Sequence, residues 1–350
     1  MKNIARLMLI VIMLILLAAC GKKSNVLYVF NWSDYINPDL VKQFEEAYDC
    51  EVRESYFESN ENMLTKIESS RQAYDIIVPS GDHVTILVQK GLLEPLDKSK
   101  LTNYGNLDPQ LLLKAQSFDP ENKFSVPYFW GITGLMYNKK HVPQSLIEQK
   151  SWSILGDDYF SGKQKVTMLE DAREVIGAAL IFAGHDLNDA SEAALADAEK
   201  ILDIWDKNIT QYDSESYKNE VADGTSWLAQ AYNGDALQQM AQNSDLDFFL
   251  PVEGSSLWMD NMVILKSSQN KELAYKFIDF LLEAENAKLN AEYTQYPTPN
   301  KAAYDHLDET QKMNELIYPS PEYLEKCTMI QFLGEKIRGV DALFEKIRLN

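Results

Sequence analysis

The chain is poor in the residues that metal sites, redox sites and cross-linked scaffolds need. Its 350 residues contain 3 cysteines and 4 histidines. No Cys-x-x-Cys or His-Glu-x-x-His spacing occurs, so the common zinc and dithiol motifs are excluded, and neither a metal nor a cofactor is expected. His83, His141, His185 and His306 are scattered among polar neighbours and read as surface residues. A glycine-rich phosphate loop and a nucleophile elbow are also missing. Ser80, Asp82 and His83 are near neighbours in sequence, whereas a catalytic triad takes its base and orienting group from separate elements. Basic residues are scarce too: 33 Lys and Arg stand against 53 Asp and Glu, a formal charge of −20. Such a field repels nucleic acid and anionic lipid and concentrates small cations, although acidity also serves solubility.

Long apolar runs are absent except at the N-terminus. Lys2 and Arg6 precede the apolar stretch Leu7–Leu17, which is too short to span a membrane and reads as a targeting leader. The leader ends in Leu17-Ala18-Ala19-Cys20, which resembles a bacterial lipoprotein signal with Cys20 as the lipidated first residue of the mature chain. A plain secretory peptide and an uncleaved anchor are the alternatives. Residues 1–19 are thus expected to be removed and 20–25 to form a tether. The body would then be anchored to the cell membrane on its extracytoplasmic side, in the periplasmic space or at the outer face of the cytoplasmic membrane. Loss of Lys2 and Arg6 takes the charge from −20 to −22. Cys50 and Cys327 remain, and the sequence leaves their pairing open.

The remaining length exceeds a comfortable single core, so two lobes are expected. The first third alternates strand-like and helix-like segments: Val26–Trp32, Asp39–Tyr48, Cys50–Phe57, Glu61–Ser69, Tyr74–Pro79 and His83–Lys90. That alternation predicts parallel strands joined by crossover helices, an α/β fold. From Phe124 the chain turns aromatic, and FSVPYFWGITGLMYNKK reads as two extended segments bent at Gly131 and Gly134, a first crossing between lobes. Gln164–Leu169, a helix from about Ala172, a helix in Ser191–Lys207, Asn208–Tyr212 and Asp247–Leu250 follow. Ser256–Leu265 reads as a strand returning to the first lobe. Lys271–Glu283 and Ala284–Tyr293 are helical, Tyr296–Asn300 is a proline-rich turn, and Gln331–Arg348 is an amphipathic C-terminal helix.

Candidate site residues gather where strands end. After Val26–Asn31 come Trp32, Ser33, Asp34 and Tyr35, a ring, a hydroxyl, a carboxylate and a phenol released together. Ligands of open α/β sheets bind at the carboxyl ends of strands. A carboxylate beside an aromatic face suits a ligand that is cationic at one point and greasy at another. Ser33 or Asp34 as a helix cap, with Trp32 as core, explains the same residues. Ser80 and Asp82 repeat the pattern after the third strand. Asp171 and Glu174 share one face at a helix start, where the positive end of the helix is expected to keep them ionised; a capping box is the compatible structural reading. Trp258 and Asp260, two apart on a strand, face the same side.

These pieces converge on one family. YVFNWSDYI, FESNENM, AYDIIVPS, KLTNYGNLDP, SVPYFWGITG, LEDAREVIG, LWMDNMVIL and YPTPN, in order from Tyr28 to Asn300, resemble the spermidine/putrescine-binding lipoproteins and periplasmic proteins of polyamine ABC importers. The resemblance implies a two-lobed periplasmic-binding-protein fold of the type II, Venus-flytrap kind, with a mixed sheet in each lobe. Lobe 1 would comprise 26–129 with 261–300, and lobe 2 would comprise 130–260 with 301–350. It places Trp32, Ser33, Asp34, Tyr35 and Ser80 on one wall of the cleft, and Asp171, Glu174 and Tyr232 on the other. Trp258 and Asp260 fall at a crossing, Tyr296 nearby, and Gln331 would add a polar contact. Two positions depart from the family pattern: Tyr232 stands where Trp is common, and Asp82 where the residue is commonly aromatic or small and uncharged. The implied function is capture of putrescine or spermidine by a monomer and delivery to an ABC permease, without turnover. Another small solute on the same fold is the first alternative. A secreted hydrolase using Asp34 with Asp260, or Asp171 with Glu174, as acid and base is the second.

Overall fold

A computed structural model describes residues 25–69 and 74–349. The leader and the lipidation candidate Cys20 lie outside the described residues. The first third alternates as patterned: β1 (Val26–Asn31), α1 (Pro38–Tyr48), β2 (Glu51–Tyr56), α2 (Asn60–Ser69), β3 (Ile76–Ile77) and α3 (Gly81–Gln89). β1 lies parallel to β2 on one side and to β3 on the other. Helix α1 is capped by Asn37, whose side chain accepts from the Asp39 amide at 2.9 Å, with Pro38 at the first helical position. Ser33 and Asp34 therefore do not serve as its cap.

The aromatic segment is one strand, not two joined by a bend. β4 (Ser125–Asn138) runs for 14 residues with a register shift between Pro127 and Phe129. Its glycines permit close approach, not hinging. A Cβ on Gly131 would overlap the Trp258 indole, and one on Gly134 would overlap the Phe248 ring and meet the Phe249 carbonyl at 2.5 Å.

Beyond it come β5 (Val166–Met168), α4 (Ala172–Phe182), α5 (Glu192–Trp205), β6 (Ile209–Tyr212), α6 (Tyr217–Asp223), β7 (Leu228–Tyr232), α7 (Asn233–Gln242) and β8 (Leu246–Phe249). β9 (Ser256–Ile264) then returns antiparallel to the first half of β4. The strand order β2-β1-β3-β9-β4-β7-β5-β6 makes one mixed sheet, with β8 beside the second half of β4. β4 thus threads both lobes of the two-lobed α/β fold.

Each lobe has its own apolar interior. Leu27, Phe44, Ile76, Phe129, Phe277 and Ile278 pack in the first, and Trp152, Phe160, Ile176, Leu202 and Trp205 in the second. Helices α8 (Lys271–Leu281) and α9 (Ala284–Thr294) follow β9, and α10 (Lys301–His306) packs on α9 and on the 104–106 turn. The segment starting at 301 therefore stays beside first-lobe elements for at least this helix.

Strand β10 (Thr328–Met329) adds to β9. The C-terminal helix is shorter than its pattern suggested: α11 spans Ile337–Arg348, and Gly334 at φ 58° interrupts helical backbone before it. Val340, Leu343, Phe344 and Ile347 recur at helical spacing on its buried face against α4 and α5. Burying each contributes roughly 1.5–3 kcal/mol, which fastens the tail to the second lobe.

Candidate functional site: an acidic, aromatic cleft

Strand ends and helix starts from both halves of the sheet converge on one cleft of about 820 Å³, open solvent at its mouth included. The end of β1 supplies Trp32, whose Nε1 donates to the Val78 carbonyl at 2.9 Å and whose ring lies 4.3 Å from that of Phe57. Those contacts fix the indole plane before any ligand arrives. Ser80, at the N-cap position of α3, makes no capping bond with its side chain. Its Oγ instead donates to Asp260 Oδ1 at 2.7 Å and accepts from Asn60 Nδ2 at 3.0 Å. The Tyr35 hydroxyl donates to the other oxygen, Asp260 Oδ2, at 2.9 Å. Among the described residues, two neutral donors therefore hold this buried carboxylate and no cation pairs with it.

Rings surround that carboxylate. Trp258, two residues earlier on β9, lies 5.3 Å from the Tyr296 ring and 5.6 Å from that of Tyr232, while Tyr35 and Tyr296 meet at 5.1 Å. Edge-to-face contacts of this kind brace the rings against one another and fix the aromatic surface that they present to the cleft. Tyr296 is held by Asp235, whose Oδ1 accepts from its hydroxyl at 2.9 Å. Gly234 makes this approach possible, since a Cβ there would sit 2.5 Å from the Tyr296 ring.

The second acidic pole lies at the start of α4. Asp171 caps that helix, accepting from the amides of Arg173 at 2.8 Å and Glu174 at 3.1 Å. Glu174 does not complete a capping box with its side chain; its Oε2 accepts from Ser256 Oγ at 2.6 Å. The Arg173 guanidinium donates to the Gln331 carbonyl at 2.7 Å and to Asn188 Oδ1 at 2.6 Å.

Burial outweighs the helix start in setting the charge of these groups. It pushes Asp260 up to about 7 against the hydrogen bonds from Ser80 and Tyr35, and Glu174 up to about 8, with the Asp171 charge acting the same way. Asp171 rises to about 6, first from burial and then from the charge of Glu61. The expectation that a helix N-terminus keeps Asp171 and Glu174 fully ionised is therefore corrected: desolvation among like charges exceeds the local dipole. A cation brought between the poles acts in the opposite sense and favours ionisation of all three.

Asp82 differs. Burial would raise it, but the adjacent His83 imidazolium and then Arg173 bring it below the ordinary carboxylate value. His83 is itself buried, with Nδ1 3.2 Å from Asp82 Oδ1 and Nε2 3.6 Å from Glu61 Oε1. Burial lowers its pKa, yet Asp82, Glu61 and Asp171 together carry it to about 9. The reading of His83 as a surface residue is thus overturned, because the first turn of α3 directs it inward, where Asp82 and Glu61 stand as its counterions.

Trp32, Ser33, Tyr35, Ser80, Asp82, Asp171, Glu174, Tyr232, Trp258, Asp260 and Tyr296 all line this one cleft. Asp34 and Gln331 do not. Asp34 adopts φ 53°, is exposed, and its Oδ2 accepts from Lys218 Nζ at 3.1 Å. Gln331 is exposed and contributes its backbone to Arg173 and Asn188, while Ile330 lines the cleft in its place. Asn60, Glu61, Arg173 and Asp235 line the cleft without having been singled out, and His83 lines it against its reading as a surface residue. Asn-Gly-Asp after β7 carried the same signal as the other strand-end carboxylates, and Asn60 and Glu61 lay within the FESNENM motif.

Comparison with known proteins gives the family of the chain. The family model of the bacterial extracellular solute-binding proteins matches residues 39–317. A putrescine/cadaverine-binding protein of Pseudomonas aeruginosa is 33% identical over 95% of this chain and 96% of its own length. The spermidine/putrescine-binding periplasmic protein of Escherichia coli K12 is 35% identical over 95% of this chain and 94% of its own. A structure from Listeria monocytogenes, described as a spermidine/putrescine ABC transporter, superposes with a TM-score of 0.85 at 36% identity, covering 93% of this chain and 99% of that one. On fold, cleft and sequence together, the chain belongs to the bacterial extracellular solute-binding protein family.

Proposed function

We propose that this chain captures a polyamine, putrescine or spermidine, in the cleft between its lobes and presents it to the permease of an ABC importer. The observation that carries the reading is Asp260: a buried carboxylate held by the neutral Ser80 and Tyr35 hydroxyls, framed by Tyr35, Trp258 and Tyr296, and lining one cleft with a second acidic pole at Asp171 and Glu174. A diamine has the complementary form, with two ammonium groups and methylenes between. Three charge-assisted contacts at ~1.5–3 kcal/mol and two ring contacts at ~0.5–2 kcal/mol sum to a gross ~5.5–13 kcal/mol. Micromolar binding needs ~8 kcal/mol. Lobe closure and ligand ordering consume part of the gross figure, so micromolar to submicromolar affinity is the expectation.

In this reading Trp32, Ser33, Tyr35, Ser80, Asp82, Asp171, Glu174, Tyr232, Trp258, Asp260 and Tyr296 contact the ligand. Residues 26–129 with 261–300 form one wall and 130–260 the other, with the C-terminal helix riding on the second. Closure around the ligand creates the surface that the permease recognises. The body acts as a monomer on the extracytoplasmic side, lipid-anchored through Cys20, and performs no chemistry on its cargo. Among the described residues no helix is long and apolar enough to cross a membrane. Calorimetric titration of ligand-stripped protein with putrescine, cadaverine, spermidine, spermine and glutamate tests the proposal. Saturable 1:1 heats with at least one polyamine and none with glutamate support it; silence toward every polyamine refutes it.

A further inference from the structure

The cleft holds more carboxylates than a diamine needs, and they are not equivalent. Among the described residues, the Asp260 carboxylate is bonded only to the Ser80 and Tyr35 hydroxyls. Asp171 is bonded to backbone amides, and Glu174 to the Ser256 hydroxyl. Asp82 and Asp235 each have a resident cation: His83 Nδ1 lies 3.2 Å from Asp82, and Lys218 Nζ lies 3.6 Å from Asp235. Lys218 also reaches Asp34 at 3.1 Å, and both His83 and Lys218 are buried. We propose that His83 and Lys218 are specificity-determining residues, internal counterions that neutralise the surplus carboxylates and leave two acidic poles, so that the cleft prefers a diamine to a triamine. The inference rests on the polyamine reading and narrows it.

The physical argument is one of charge matching in a site with little water. A buried ammonium without an ionised partner keeps its desolvation penalty uncompensated. The first two ammonium groups of any polyamine meet Asp260 and the Asp171–Glu174 pole. A third must find Asp82 or Asp235, each already paired, or remain at the mouth beside Glu58, Glu61 and Glu215, which are exposed. Exposed ion pairs contribute ~0–1 kcal/mol, too little to replace a buried contact. His83 carries its charge at neutral pH, since its carboxylate neighbours hold its pKa near 9, and Arg173 adds a second positive charge toward Asp82. Neither His83 nor Lys218 has a carboxylate side chain's capacity to bind an ammonium, so the two tune the poles without replacing them.

Calorimetry of ligand-stripped wild type, His83→Gln and Lys218→Met with putrescine, cadaverine and spermidine tests the inference. Wild type is expected to bind putrescine or cadaverine at least about tenfold more tightly than spermidine, and His83→Gln to narrow that gap by about tenfold by freeing Asp82. Lys218→Met should narrow it in the same direction, and it decides the matter should His83→Gln fail to fold. Wild type that binds spermidine as tightly as either diamine overturns the inference while leaving the polyamine reading intact. A gap unchanged in folded variants overturns it likewise. Protein that binds none of the three refutes the polyamine reading itself.

Discussion

Replacing Asp260 with asparagine separates binding from stability, because its charge is held against the fold while the proposed function makes it an ammonium partner. Asp260 is buried, and its carboxyl titrates at about 7 where an ordinary aspartate titrates near ~3.9. The sign follows from linkage. An acid whose pKa is higher in the folded state binds its proton more tightly there, so folding loses stability as pH rises from the unfolded value to the folded one. At ~1.4 kcal/mol per pH unit, the ionised group at pH 8 opposes folding by on the order of 4 kcal/mol. Asparagine keeps the shape, accepts from Ser80 through Oδ1 and turns its amide toward the Tyr35 oxygen, without the charge. Thermal denaturation at pH 8 should therefore show a melting temperature equal to or above that of wild type. Calorimetry should show polyamine affinity reduced by at least tenfold, the equivalent of one charge-assisted contact at ~1.5–3 kcal/mol. Unchanged affinity would refute the assignment of Asp260 as an ammonium partner. A lowered melting temperature would refute the argument that its charge is held against the fold.

Other expectations follow from the same geometry. Polyamine affinity should rise between pH 5.5 and 8, because a cation entering the cleft must displace protons from Asp171, Asp260 and Glu174, all of which burial holds above the ordinary carboxylate range. Titrations near pH 6.5 in buffers of different ionisation enthalpy should reveal that proton release; identical heats in both buffers would contradict it. Gly131→Ala should destabilise the protein by ~1–3 kcal/mol and weaken binding together, since the new methyl group overlaps the Trp258 indole. Urea denaturation and calorimetry on the one variant check both halves. Cys20→Ala should leave the affinity of the purified body unchanged and move the protein out of the membrane fraction on cell fractionation; continued sedimentation with membranes would count against lipid anchoring.

Much of the cleft was legible because carboxylates and rings were placed where strands stop. Trp32, Ser80, Asp171 and Asp260 each follow or sit within a clear strand or helix-start pattern, and the alternation of the first third fixed which ends those were. Direction was less visible than position. Asp34 belongs to the same run as Trp32 and Tyr35, yet left-handed backbone at that residue puts its carboxylate against Lys218, whose partner lies 184 residues away. His83 looked like a surface residue because its immediate neighbours are polar; it is buried, and it keeps its charge there through Asp82, Glu61 and Asp171, of which only Asp82 is near in sequence. Gly131 and Gly134 read as a bend because glycine has that use as well as the other, and only the facing Trp258 and Phe248 reveal that space was the requirement. The state of the carboxylates was misjudged for a related reason: a helix start is a local feature, whereas desolvation sums over everything that encloses the group.

The central claim is that two acidic poles framed by aromatic rings hold the two ends of a polyamine. A crystal structure of the protein soaked with putrescine tests it most directly. The account predicts one ammonium within hydrogen-bond distance of Asp260, the other at Asp171 or Glu174, and the methylenes lying against Trp258 and its neighbouring tyrosines. A ligand bound elsewhere, or a cleft that refuses putrescine and every other polyamine at millimolar concentration, would contradict it.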